Sequence, residues 1–105
     1  MAQFDVFLNT HPSSKTTYPF LLDVQSPLLE SLETRLVIPL MTKSTYGEKI
    51  INRLIPVIRV KGHEYLVLTP QMAAISKKHL GKQIENCSSD RNEIISSIDF
   101  LVTGF

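Results

Sequence analysis

The 105-residue chain is 43% hydrophobic and 20% charged, ordinary for a soluble globular protein, and its length suits one domain and excludes two. Eleven Lys and Arg against ten Asp and Glu leave a formal charge of +1, which argues against the broad basic field of an autonomous nucleic-acid binder. The start MAQFDVFLNTH is not a signal peptide, no apolar run approaches the ~20 residues that span a bilayer, and a lone Cys87 excludes an internal disulfide and fits a reducing cytoplasm.

In chain order, Phe4, Val6 and Leu8 alternate with Gln3, Asp5 and Phe7, which predicts a first strand with apolar residues on both faces. Residues 11–17 (HPSSKTT) read as a loop. Residues 18–25 (YPFLLDVQ) form a second strand, with Pro19 confined to its start or to an edge. Ser26-Pro27 breaks that strand, and residues 28–34 connect to a third over 35–40 (RLVIPL). Pro39 donates no ladder bond, so that end is expected on an edge or in a bulge.

Residues 41–52 read as a loop containing Gly47. A fourth strand, 54–60, holds Pro56. Lys61-Gly62-His63-Glu64 predicts a hairpin turn, since glycine takes positive φ without strain, and a fifth strand returns over 65–69. Residues 71–75 suggest a short turn, and 77–86 a polar stretch, basic at its start. From Asp90 to Phe105 the period changes to that of a helix. Ile94, Ile98, Leu101 and Phe105 make a stripe that Ile95 and Val102 widen, and Asp90 with Glu93 resembles an N-terminal capping pair. Ser96, Asp99, Phe100 and Thr103 lie opposite, where Phe100 is out of place on a solvated face. A helix ending flush with the chain either packs down or leaves its last carbonyls open to a partner. The whole reads as mainly β (α+β): a small curled antiparallel sheet or barrel with one C-terminal helix, over residues 1–105 as one domain.

Catalytic chemistry is sparse. His11, His63 and His79 lie in or beside turns with no metal-ligand spacing, and Cys87 has no partner cysteine. His63-Glu64 is either an acid–base pair or, more in keeping with alternating side chains, a solvated tip. Asp23 in an apolar strand needs a partner. Arg35 is the plausible one, as a structural ion pair ahead of a functional one. No catalytic residue, metal or cofactor is assigned, and the residues alone point to a binding protein.

Several segments together resemble a family. Gln3-Phe4 with Val6-Phe7, Asp23-Val24-Gln25-Ser26, Arg35-Leu36-Val37-Ile38-Pro39-Leu40, Thr69 with Met72-Ala73, and Arg91-Asn92-Glu93-Ile94 leading to Ile98 and Gly104 occur in the same order in the CcdB toxins of bacterial toxin–antitoxin modules. The likeness covers nearly the whole chain. It implies an SH3-like barrel with a C-terminal helix, a cytoplasmic homodimer, and no catalysis. The implied activity is poisoning of DNA gyrase, by binding its A subunit and trapping the covalent gyrase–DNA cleavage complex. It also implies a CcdA-type antitoxin that folds on binding and, in complex with the toxin, represses the operon. The antitoxin makes the DNA contacts, so DNA is reached only indirectly, and no membrane is involved.

Carried over by position, the resemblance puts the gyrase contact on Leu28, Leu29, Asp99, Val102, Thr103, Gly104 and Phe105, and the antitoxin contact on Gln3, Phe4, Phe7 and Ser26, with the loop over residues 41–49 close by. Met72, Ile75 and the helix are candidates for the dimer surface. The chain departs from the best-known family pattern with Thr103 in place of Trp, Asp99 in place of Asn and Phe105 in place of Ile. A Trp face stacks on an Arg guanidinium for about 0.5–2 kcal/mol, and Thr103 cannot. A MazF/Kid-type ribonuclease, which shares the barrel architecture, is the alternative activity; it needs acid and base groups and a basic RNA groove. A degenerate relative that binds antitoxin without poisoning is the other.

Overall fold

The computed structural model describes residues 1–46 and 52–104. Gly47, part of the expected middle loop and Phe105 lie outside the described residues. Among the described residues, seven strands form one antiparallel sheet: β1 Asp5–Asn9, β2 Phe20–Asp23, β3 Thr34–Thr42, β4 Val57–Val60, β5 His63–Val67, β6 Ala73–Ser76 and β7 Leu80–Asn86. The order is β4-β5-β3-β2-β1-β7, with β6 also on β3. The sheet curls until its outer strands approach. Glu85 of β7 accepts from the Lys61 N–H after β4 at 3.3 Å, and the Cys87 thiol lies 3.9 Å from the Arg59 carbonyl. The helix, α1 Arg91–Thr103, follows as the last element. The expected mainly β architecture with one C-terminal helix is therefore present.

Alternation sorts the side chains. Val6, Leu22, Ile38, Leu40, Ile58, Val60, Val67 and Cys87 fill the concave side with Phe4 and Ile94. Met41, Ile55, Leu66 and Leu68 form a second cluster with Tyr18, Tyr46 and Leu54. The β4–β5 hairpin turns on Lys61 and Gly62 alone, at φ 52° and 81°, the two consecutive positive φ values of a type I′ turn. His63 and Glu64 are already in β5, so the turn is tighter than the sequence suggested.

Four expectations need correction. Residues 77–86 are not merely polar connection: Leu80–Asn86 is a strand paired with β1. Only Leu80 and Ile84 are apolar among LGKQIEN, and irregularities on either side of Phe7 break the register, so period-2 alternation is lost. Residues 71–75, expected as a short turn, are the end of a 3-10 turn, Thr69–Gln71, and the first three residues of strand β6. Pro39 lies neither on an edge nor in a bulge of a two-strand pair, because β3 is central. It sits where β3 exchanges one neighbour, β6, for the next, β5. Its carbonyl accepts from Leu68 N–H, and a strand residue's N and O face the same side, so the missing donor falls in that gap.

The fourth correction concerns the helix. Asp90 occupies the N-cap position, but its side chain makes no capping bond. A 3-10 turn, Ser88–Asp90, leads directly into α1, so Asp90 has φ −98° and ψ 13° rather than the extended backbone of a capping residue. Burial, with Glu93 and Glu85 nearby, raises the Asp90 carboxyl above its ordinary range.

Candidate functional site

The buried stripe of α1 is shorter than its sequence period. Ile94 and Ser97 are fully buried and Ile95 and Ile98 partly, whereas Leu101 is 40% and Val102 72% exposed. The helix is anchored by its first two turns, and its last turn projects. Ser97, a polar residue on the inward face, explains how. Its hydroxyl lies 2.7 Å from the Ile94 carbonyl and 2.9 Å from the Thr69 hydroxyl. A hydroxyl has one proton, so Ser97 donates to Ile94 and Thr69 must donate to Ser97. Both groups are fully buried, and this chain of donors ties α1 to the Thr69–Gln71 turn.

At the far end, Gly104 adopts φ 79° and its N–H donates to the Phe100 carbonyl at 2.9 Å, closing the helix with a left-handed cap. Thr103 turns its hydroxyl back to the Asp99 carbonyl at 2.7 Å. The last carbonyls are thus not all open, as the sequence suggested: those of Asp99 and Phe100 are occupied. Asp99, Val102, Thr103 and Gly104 are exposed together on this projecting turn. Phe100, the misfit of the polar face, lies under the Arg53 guanidinium at 4.8 Å. Arg53 was not picked out in the sequence, because cation–π pairing across a loop leaves no periodic signal. The stacked Arg53 covers one face of the Phe100 ring.

Leu28 and Leu29 sit in a 3-10 turn, Pro27–Leu29, whose N-cap Ser26 accepts from Leu28 N–H at 3.2 Å. No residue of that turn is buried, and Leu28 is 91% exposed. A buried polar clamp lies behind this turn. Asp23 and Arg35 are both 0% exposed and pair at 2.7 Å, with Arg35 Nε donating to the same carboxylate oxygen at 2.8 Å. The other Asp23 oxygen accepts from Gln25 N–H. The Gln25 side chain donates to the Leu29 carbonyl and accepts from Leu36 N–H, both at 2.9 Å. Gln25 therefore fastens the turn to β3. Desolvation raises the Asp23 carboxyl, and its hydrogen bonds from Gln25 and Arg35 only partly oppose this. The pair anticipated from sequence is present, in a structural role.

Gln3, Phe4, Phe7 and Ser26 fall into two groups. Gln3 and Ser26 are partly exposed, and Gln3 Nε2 donates to the Val24 carbonyl at 3.1 Å, which brings the chain start beside the segment leading to Ser26. Phe4 and Phe7 are buried at 3% and 5% exposure. Phe4 has φ 71°, a left-handed conformation uncommon for a bulky residue. Its N–H donates to Asp23 at 2.6 Å, its carbonyl accepts from Cys87, and Arg91 lies 5.7 Å above its ring. Those contacts hold it in a backbone state it would otherwise leave.

Conventional catalytic geometry is sparse in the described residues. They contain no group of three or more His, Cys, Asp or Glu side chains placed to hold a metal, and no helix long and apolar enough to cross a membrane. A family model described as CcdB protein matches residues 3–104.

Proposed function

The chain belongs to the CcdB family, which implies a toxin of the ccd toxin–antitoxin system, and on that footing we propose that it poisons DNA gyrase without catalysis. The observation that carries this reading is the projecting last turn of α1, with Asp99, Val102, Thr103 and Gly104 exposed on a helix whose base is fixed by the Thr69–Ser97 hydroxyl pair. These residues, with Phe105 and the exposed Leu28 and Leu29, form the contact for the gyrase A subunit. The toxin makes and breaks no bond. It acts by binding one state of gyrase, the covalent DNA-cleavage complex, more tightly than the others, since equal affinity for all states shifts no equilibrium. Rigid presentation lowers the ordering cost of that contact.

A CcdA-type antitoxin covers Gln3 and Ser26, with Phe4 and Phe7 as the floor beneath them. The toxin works as a cytoplasmic homodimer of a single domain, and the toxin–antitoxin complex represses its operon through DNA contacts made by the antitoxin. Incubation with gyrase, supercoiled DNA and ATP, followed by protein denaturation, is expected to yield linear DNA. Deleting residues 103–105 is expected to abolish cleavage while leaving antitoxin binding intact. Absence of linear DNA at saturating protein would overturn the poisoning assignment. The back-bonded Thr103 hydroxyl favours weaker gyrase affinity than a Trp at that position would confer, and growth arrest on induced expression tests whether enough remains.

A further inference from the structure

His11 and His79 are remote in sequence, yet the fold sets their rings 5.2 Å apart between centroids at a tilt of 56°. Both side chains are exposed, so no core packing requires the approach. The backbones that carry them are tied together. Thr10 donates to the His79 carbonyl through its hydroxyl at 3.0 Å and its N–H at 3.5 Å. Asn9 Oδ1 accepts from His11 N–H at 3.0 Å, and the His11 carbonyl accepts from Ser14 and Lys15. Gly81, two residues past His79, permits this closeness, since a Cβ there would stand 2.8 Å from Thr10 Cγ2 and 3.0 Å from the Leu8 carbonyl.

We propose that His11 and His79 form a two-imidazole chelate for a borderline divalent cation of the zinc, nickel or copper class. An imidazole nitrogen lies about 1.1 Å from its ring centre and about 2.1 Å from a bound zinc, so two rings meeting at a tetrahedral angle have centres about 5 Å apart. The observed separation matches. The tilt sets the rings neither parallel nor stacked. His11 Nδ1 lies 2.8 Å from the Ser13 hydroxyl, and the Ser13 N–H approaches the same atom at 3.4 Å. Metal binding selects the tautomer in which Nδ1–H donates to Ser13 Oγ, leaving Nε2 for the metal, the usual outer-shell support of a histidine ligand. Nitrogen donors without thiolate or carboxylate favour these cations over magnesium or calcium. Water completes the coordination. Lys77, two residues before His79, donates its ammonium to the Glu30 carbonyl at 3.0 Å.

The test is calorimetric titration of the full-length protein with zinc chloride and with copper chloride in a non-coordinating buffer. Expected are one metal per chain, with copper tighter than zinc. Because the second imidazole acts at high effective concentration, His11→Gln or His79→Gln is expected to weaken binding about tenfold or more. Ser13→Ala weakens it less, and His63→Gln leaves it unchanged. Circular dichroism of each variant checks that the fold is retained. Equal binding by His11→Gln, His79→Gln and the parent chain overturns the proposal. So does an equal loss in His63→Gln, and so does one metal per two chains, which would mean a bridge between molecules.

Discussion

Replacing Ser97 and Thr69 singly and together tests how the helix is held, and with it the presentation of the candidate gyrase contact. Ser97→Ala removes the acceptor of the Thr69 proton. The nearest substitute is the Val67 carbonyl at 3.4 Å, too long for a good O–H bond, so a fully buried hydroxyl is left poorly satisfied. The expected cost is about 1–2 kcal/mol. Thr69→Val leaves the Ser97 donation to Ile94 intact and is expected to cost about 1 kcal/mol. In the double variant neither hydroxyl remains to be stranded, so the combined loss falls short of the sum by about 1 kcal/mol. Urea unfolding at one fixed protein concentration reads this directly, because any self-association makes stability concentration-dependent. At a slope of about 1–1.5 kcal/mol per molar for a domain this size, the shortfall is about 0.7–1 M in midpoint. Additivity of the singles to within about 0.3 kcal/mol would refute the hydroxyl relay.

Phe4 has positive φ, so Phe4→Gly should be more stable than Phe4→Ala by about 1 kcal/mol, the reverse of their order in ordinary backbone; the opposite order in thermal unfolding would contradict the left-handed conformation. Asp23→Asn leaves the buried Arg35 charge uncompensated and is expected to cost about 3–5 kcal/mol in the same assay; a cost below about 1 kcal/mol would mean that the pair does not carry the strand junction. Burial, and then Glu85 and Asp90, raise the Cys87 thiol from 9.0 to about 11. Between those values the folded chain keeps a proton that the unfolded chain releases, so stability falls as pH rises from 9.0 towards about 11. Cys87→Ala should flatten that part of the stability profile, and reaction of Cys87 with a thiol reagent at pH 8 should follow global unfolding.

Much of the architecture was legible before the fold was known. The Lys61-Gly62 turn follows from the φ freedom of glycine between two apolar runs, and the third strand from the apolar run Leu36-Val37-Ile38 ahead of Pro39. The helix, Arg91–Thr103, was readable because its period is 3.6, but how far it packs down was not. Leu101 and Val102 belong to the apolar stripe by spacing and yet are exposed, since burial depends on where the sheet ends beneath them. Strand β7 went unread because an outer strand bonded at irregular register needs no alternation. Among candidate residues, the Asp23–Arg35 pair was anticipated by electrostatic necessity. Arg53 over Phe100 and the His11–His79 approach were not, as each is a contact between segments far apart in the chain, and neither was Gln25, whose two backbone partners depend on how the Pro27–Leu29 turn folds back onto β3.

By itself, then, the sequence settled the mainly β class, the terminal helix and membership of the CcdB family, all of which rest on local spacing and residue order. Tertiary structure alone decided which apolar residues stay exposed, which polar ones are buried in pairs, and which side chains meet. Those outcomes depend on the curl of the sheet and the contacts it closes, and residue spacing carries no record of them.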